Sequence, residues 1–187
     1  MPRSAIAAAF LLLVTGLAGA QGVQPKEAAP AGDAASVDAI VSELYASVSH
    51  AAGTAPDFDR MRRIFHSTGK LVPPKAPDAA DFRAMTVDQF SERIEKFVAD
   101  RKAKGQPLSG FFEREIARRT DCFGNVCHVF STYESRHSPS DTKPFERGIN
   151  SIQLVNDGKR WWIASVAWDA ERPANPIPAA YLPAAKP

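Results

Sequence analysis

The chain runs to 187 residues, 44% of them apolar, with a formal charge of +2, which is enough for one packed core of ordinary domain size. Its 23 basic and 21 acidic residues nearly cancel, and the groups Arg60/Arg62/Arg63 and Arg114/Arg118/Arg119 are interleaved with Asp57, Asp59, Glu113 and Glu115. That balance excludes the positive field a nucleic-acid partner requires.

The first residues, Met1-Pro2-Arg3, lead into an apolar run from Ala5 to Ala18 and then Ala18-Gly19-Ala20, the small-x-small form at which signal peptidase cuts. Cleavage after Ala20 and release to the periplasm or medium are expected. The run is shorter than the roughly 18 to 20 apolar residues that span a bilayer, and no cysteine follows it for lipid attachment, so no stable membrane anchor is expected. Residues 21–35 are rich in Ala, Pro, Gly and Gln and bury too little to offset the entropy of ordering, which makes them a flexible leader. The folded domain is placed at 36–172.

Ser36 is an N-cap candidate, and Val37, Ile40, Val41, Leu44, Tyr45 and Val48 recur every three or four residues, predicting a helix that ends near Gly53. A second helix opens at Asp57 with Phe58, Met61, Ile64 and Phe65 on its buried side and stops before Gly69, after which Lys70-Leu71-Val72 reads as a short strand into Pro73-Pro74. Thr86-x-x-Gln89 is a capping box, and Val87, Phe90, Ile94, Phe97 and Val98 keep helical period up to Gly105.

Beyond Pro107 the period changes to that of strands. Phe111–Asp121 and Val126–Arg136 flank Cys122-Phe123-Gly124-Asn125, and Phe145–Val155 and Arg160–Trp168 flank Asn156-Asp157-Gly158-Lys159. These are two hairpins, with Gly and Asn supplying positive φ in the first and Asp-Gly turning the second. Helices first and strands afterwards predict an α+β domain: three helices packed in a strongly curved antiparallel sheet of four to five strands, with an apolar pocket between the layers. The tail beyond residue 172 has five prolines in its sixteen residues counted from Arg172 and reads as extended, with Ile177, Tyr181 and Leu182 available to dock.

The order of these elements, together with Asp57-Phe58-Asp59 opening the second helix, Phe65-His66 before a strand, Tyr133-Glu134, Arg147-Gly148-Ile149-Asn150-Ser151-Ile152-Gln153-Leu154 and the closing Gly158-Lys159-Arg160-Trp161-Trp162-Ile163, resembles the nuclear transport factor 2-like, or SnoaL-like, superfamily over residues 36–169, in particular its bacterial members of unassigned role. The resemblance implies a cone-shaped domain used by ketosteroid isomerases, dehydratases, epoxide hydrolases, polyketide cyclases, dimerisation modules and transport factors. The enzymes among them set a carboxylate or an Asp/His pair inside the cone as base, opposite a Tyr or a protonated carboxyl. None of those positions transfers to this chain residue by residue, and fold alone does not fix a role.

Cys122 and Cys127 are the only two cysteines and flank a hairpin loop, so in an exported chain they are expected to form a disulfide. Metal is not expected: His50, His66, His128 and His137 are scattered, and on a strand Glu134 and His137 face opposite ways. Ser67-x-x-Lys70 meets Gly69 before a helical turn is complete, and neither a Gly-x-Ser-x-Gly nor a phosphate-binding glycine loop is present, so no cofactor is expected. Candidate pocket residues are Tyr45, His66, Ser131, Tyr133, Glu134, Asn150 and Trp168. Ser131 and Tyr133 share one strand face, Thr132 and Glu134 the other, and Asn150 opposes Arg147. Trp161, Trp162 and Trp168 place aromatic bulk on both faces of the last strand, one covered by helices and the other by a second subunit or the Pro-rich tail. The reading is an exported domain that binds a small, largely apolar molecule or a protein partner without a committed catalytic group, with a homodimer through the outer sheet face. The alternative is a general acid/base isomerase, dehydratase or hydrolase using Tyr133, His66 or Glu134.

Overall fold

The computed structural model describes residues 31–76 and 78–184. The expected signal peptide and most of the leader lie outside the described residues. Three α-helices are present among the described residues. Helix α1 (Val37–Val48) is capped by Ser36, whose side chain accepts from the Ala39 N–H at 3.1 Å, and α2 (Phe58–Ile64) is capped by Asp57, which accepts from the Arg60 N–H at 2.8 Å. Helix α3 (Val87–Ala103) opens with the capping box: Thr86 Oγ1 accepts from the Gln89 N–H at 3.2 Å and Gln89 Oε1 from the Thr86 N–H at 3.0 Å. These side chains satisfy first-turn donors that the helix itself leaves open.

The sheet holds five strands, β1 (Phe65–Val72), β2 (Phe112–Phe123), β3 (Val126–Arg136), β4 (Glu146–Asn156) and β5 (Trp161–Ala170), in the order β1-β5-β4-β3-β2. From β2 to β5 it is the antiparallel meander expected from the two hairpins. The fifth strand corrects the expectation in two ways. It begins at Phe65, directly after α2, and it pairs parallel with β5, so the sheet is mixed. His66, Ser67 and Lys70 therefore stand on a strand, and no helical turn joins Ser67 to Lys70. Gly124 at φ 56° and Gly158 at φ 90° turn the hairpins, and Asn125 does not need positive φ.

Two register shifts shape the sheet. Ile116 has no partner between the pairs Glu115 with Tyr133 and Ala117 with Thr132, and Ala164 none between Ile163 with Leu154 and Ser165 with Gln153. Such bulges bend a strand and raise its twist. The second one also resets the alternation, so Trp161, Ile163, Val166 and Trp168 all pack on the core side where strict period two would separate Trp161 from Trp168.

The core lies between the concave face and α1 and α2, built from Ile40, Val41, Leu44, Met61, Ile64, Val129, Ile152, Leu154 and Ile163, each 4% exposed or less. Only Val87 and Ser91 of α3 are buried, so that helix is the looser wall. On the convex face the tail lies down: Tyr181 sits edge-on to Phe130 with centroids 4.9 Å apart, Arg119 covers its ring at 5.7 Å, and Thr132 Oγ1 donates to the Tyr181 carbonyl at 2.6 Å. Ile177 is buried. Among the described residues no helix is long and apolar enough to cross a membrane. Cys122 and Cys127 are cross-strand partners joined by a disulfide.

Candidate functional site

A cavity of about 580 Å³ opens between α3 and the concave face. Its walls are apolar: Leu44 and Val48 from α1, Phe90, Ile94, Phe97 and Val98 from α3, and Val166 and Trp168 from β5. Helical spacing puts the four α3 residues on one stripe, and Phe90 meets Trp168 edge to face at 6.5 Å between centroids. The floor is polar, made by Glu113 of β2, Tyr133 of β3, and Glu146 and Asn150 of β4. His50 and His137 also line it, flanking an aromatic row in which Phe111 lies 6.1 Å from Phe145 and His137 stacks on Phe145 at 4.1 Å.

The end of α1 places Glu113. Ser49 Oγ donates to the Tyr45 carbonyl at 2.8 Å and accepts the Glu113 N–H at 3.0 Å, while His50 and Phe111 exchange backbone hydrogen bonds of 2.7 and 2.9 Å. The Glu113 carboxylate then takes Ser135 Oγ at 3.1 Å and Asn150 Nδ2 at 3.4 Å. Burial lifts its pKa to about 7, over the opposing pull of those two hydrogen bonds, and the Glu146 charge lifts it further. Tyr133 donates to Glu146 Oε1 at 3.1 Å. Burial, then the charges of Glu146 and Glu113, raise the Tyr133 pKa far above the ordinary phenol value, so this side chain stays a neutral donor.

Behind the floor runs a second polar chain. Ser131 Oγ donates to Glu115 Oε1 at 2.6 Å, so its single hydrogen is spent and it accepts from Tyr45 at 2.6 Å; Tyr45 in turn accepts from Asn150 Nδ2 at 3.2 Å. Arg118 closes the chain on Glu115 with two hydrogen bonds of 2.8 and 2.5 Å. Asn150 thus belongs to both networks and fixes the floor to the core.

Of the candidate residues, Tyr133, Asn150 and Trp168 line the cavity, and Tyr45 and Ser131 stand directly behind its floor. His66 and Glu134 are elsewhere. His66 is exposed on β1, where its Nδ1 lies 2.8 Å from Thr68 Oγ1. Glu134 is buried on the convex side of the sheet between Arg114, at 2.5 Å, and Arg136. Burial works the other way, but those two arginines hold its carboxyl below the ordinary range. Neither contributes to the floor.

Glu113 and Glu146 are the floor residues that the candidate set omits. The signal for Glu113 was its phase: it follows Phe111 by two and precedes Glu115 by two, so both glutamates share a strand face with an apolar neighbour. Among the described residues no group of three or more His, Cys, Asp or Glu is placed to hold a metal ion.

No protein-family model matches the chain, and no curated protein does. Solved structures do. A domain provisionally named a calcium/calmodulin dependent protein kinase II association domain, from Xanthomonas campestris, superposes over 73% of this chain and 86% of its own at TM-score 0.50 and 12% identity. A nuclear transport factor 2-like protein of unknown function from Shewanella baltica covers 71% of this chain and 89% of its own at 0.49 and 12%. A provisionally named ketosteroid isomerase from Parabacteroides distasonis covers 73% and 89% at 0.45 and 13%. At these identities the likeness is one of architecture: three helices against a curved sheet of five strands, the nuclear transport factor 2-like fold.

Proposed function

We propose that this domain is exported and holds a small, largely apolar molecule in the cavity beneath α3. The cavity of about 580 Å³, apolar on its walls and polar only at its floor, carries the reading. That is the usual build of a small-molecule site, in which burial supplies affinity and a few polar groups fix orientation. Native mass spectrometry of the protein from its own host is expected to show a retained ligand, and mass labelling of its N-terminus to show cleavage near Ala20. A ligand-free spectrum under gentle conditions, with no small molecule displacing water from the cavity in a fragment soak, ends the reading.

One observation favours a second reading, general acid/base catalysis in the same cavity. The Glu113 carboxyl is held near pKa 7 by burial, where a group can both take and return a proton at neutral pH, and the neutral Tyr133 phenol stands beside it on the floor. This replaces His66 and Glu134 as participants. Carbon-detected NMR of the glutamate carboxyls decides the premise: a Glu113 midpoint in the ordinary carboxylate range removes it.

A further inference from the structure

Once Glu113 has given up its proton, above about pH 7, the hydrogens of the cavity floor are all spent. Tyr133 gives its only one to Glu146, Asn150 gives its two to Tyr45 and Glu113, and Ser135 gives its one to Glu113. The two histidines on the lining repeat the pattern. His50 Nδ1 lies 3.1 Å from the Ala51 carbonyl and His137 Nδ1 3.1 Å from the Gly110 carbonyl; a carbonyl only accepts, so each neutral ring turns an acceptor, Nε2, outward. What the floor offers a ligand is therefore lone pairs: those left on the Glu113 and Glu146 carboxylates, on the Tyr133 oxygen and on Asn150 Oδ1. Of the lining side chains with hydrogens to give, Arg93 and Ser109 occupy exposed positions on α3 and on the loop that follows it, Arg101 turns two of its N–H groups to the Pro107 carbonyl, and Trp168 carries its indole N–H in the wall and not on the floor.

Resting on the cavity reading above, we propose that the ligand enters with a hydrogen-bond-donating head, an ammonium or a hydroxyl on an apolar body, and that a carbonyl or carboxylate head is rejected. With Glu113 ionised, a ketone oxygen pressed onto this floor would meet only other acceptors, and burying an acceptor unpaired costs about 1–3 kcal/mol. A carboxylate would meet two more carboxylates. An ammonium head pairs with Glu113 and Glu146 and releases the proton that Glu113 holds; a hydroxyl donates to one of them and leaves that proton in place. The aromatic walls, Phe90, Phe111 and Trp168, suit either body and add cation–π attraction for the first.

Four matched probes test this by titration calorimetry on the full chain at about pH 8, above the Glu113 midpoint: naphthylmethylamine, naphthylmethanol, acetonaphthone and naphthoate. The amine and the alcohol are expected to bind at least about tenfold tighter than the ketone and the carboxylate. Proton release near pH 7, read from the buffer dependence of the heat, distinguishes an ammonium head from a hydroxyl. Glu113→Gln places an amide donor on the floor and is expected to move the ketone up the ranking by about tenfold; Glu146→Gln carries the same expectation if the first variant does not fold. A ketone or carboxylate that binds the unaltered chain as tightly as the amine and the alcohol overturns the inference while leaving the cavity as a site. Failure of all four to bind overturns both.

Discussion

The Tyr133 phenol occupies the space that a side chain at Gly148 would fill: a Cβ at position 148 would stand 2.5 Å from the Tyr133 oxygen and 2.4 Å from the Asp169 carbonyl. The two residues are cross-strand partners, so the missing side chain on β4 lets the ring on β3 lie across the sheet with its oxygen at Glu146. Gly148→Ala is expected to cost about 3 kcal/mol, because one of the two obstacles is backbone and cannot rotate away. Urea unfolding measures the loss, and naphthyl probe binding is expected to weaken with it as Tyr133 leaves the floor.

Stability is expected to fall between about pH 4.5 and 7 through Glu113. Its carboxyl has a folded pKa of about 7 against an ordinary value of 4.5, so in that window the folded state binds more protons than the unfolded one and each rise in pH favours unfolding. The full contribution is present below the unfolded pKa and lost above the folded one, a change on the order of 3 kcal/mol. Glu113→Gln is expected to flatten this slope, seen as the difference between urea midpoints at acid and neutral pH. Parallel slopes in the two proteins would refute it.

Tyr45→Phe removes the hydroxyl that links Asn150 to Ser131 inside the core and is expected to cost about 1–3 kcal/mol, since it strands a buried amide hydrogen. His66→Ala, at an exposed position outside the cavity, is expected to change stability by less than about 0.5 kcal/mol and to leave probe binding unchanged. Thermal melts of the two variants side by side check the contrast.

Truncation after Arg172 removes Ile177 and Tyr181 from the convex face and bares Phe130 and Ile149 beneath them. The shortened chain is expected to self-associate through that face, read as a concentration-dependent mass by light scattering, whereas the full chain keeps its mass over the same range. Unchanged mass after truncation would show that the tail shields nothing adhesive.

Reduction of the Cys122–Cys127 disulfide is expected to lower stability by about 2 kcal/mol, the chain-entropy value for so short a loop. It should leave ligand binding intact, because the bridge closes the hairpin tip and neither cysteine lines the cavity. Unfolding with and without reductant, followed by probe titration, measures both.

The helices and hairpins were legible because their signals are local: the caps at Ser36, Asp57 and Thr86, the stripe from Phe90 to Val98, and Asp157-Gly158 at a turn. The first strand was legible only in its last three residues, Lys70-Leu71-Val72, and its parallel pairing was not. Phe65-His66-Ser67-Thr68-Gly69 follows a helix with no turn signal between, and its partner lies nearly a hundred residues later, so only tertiary pairing decides its state. The bulges hid more. Counting by twos along β5 separates Trp161 from Trp168 until Ala164 is removed from the count, and along β2 Ile116 has the same effect between Glu115 and Arg118. Tyr133, Asn150 and Trp168 could be listed from residue type and phase. Glu113 carried a phase signal of the same kind, but its place on the floor follows from the end of α1, which holds its backbone there.

Because β1 finds its neighbour only in β5, the earliest and the latest strands of the domain must meet before its sheet is complete. A nascent or threading polymer cannot lock its architecture until β5, Trp161–Ala170, has arrived, and closing so wide an arc delays collapse into the finished form. The topology thus keeps the chain pliable up to its last segment.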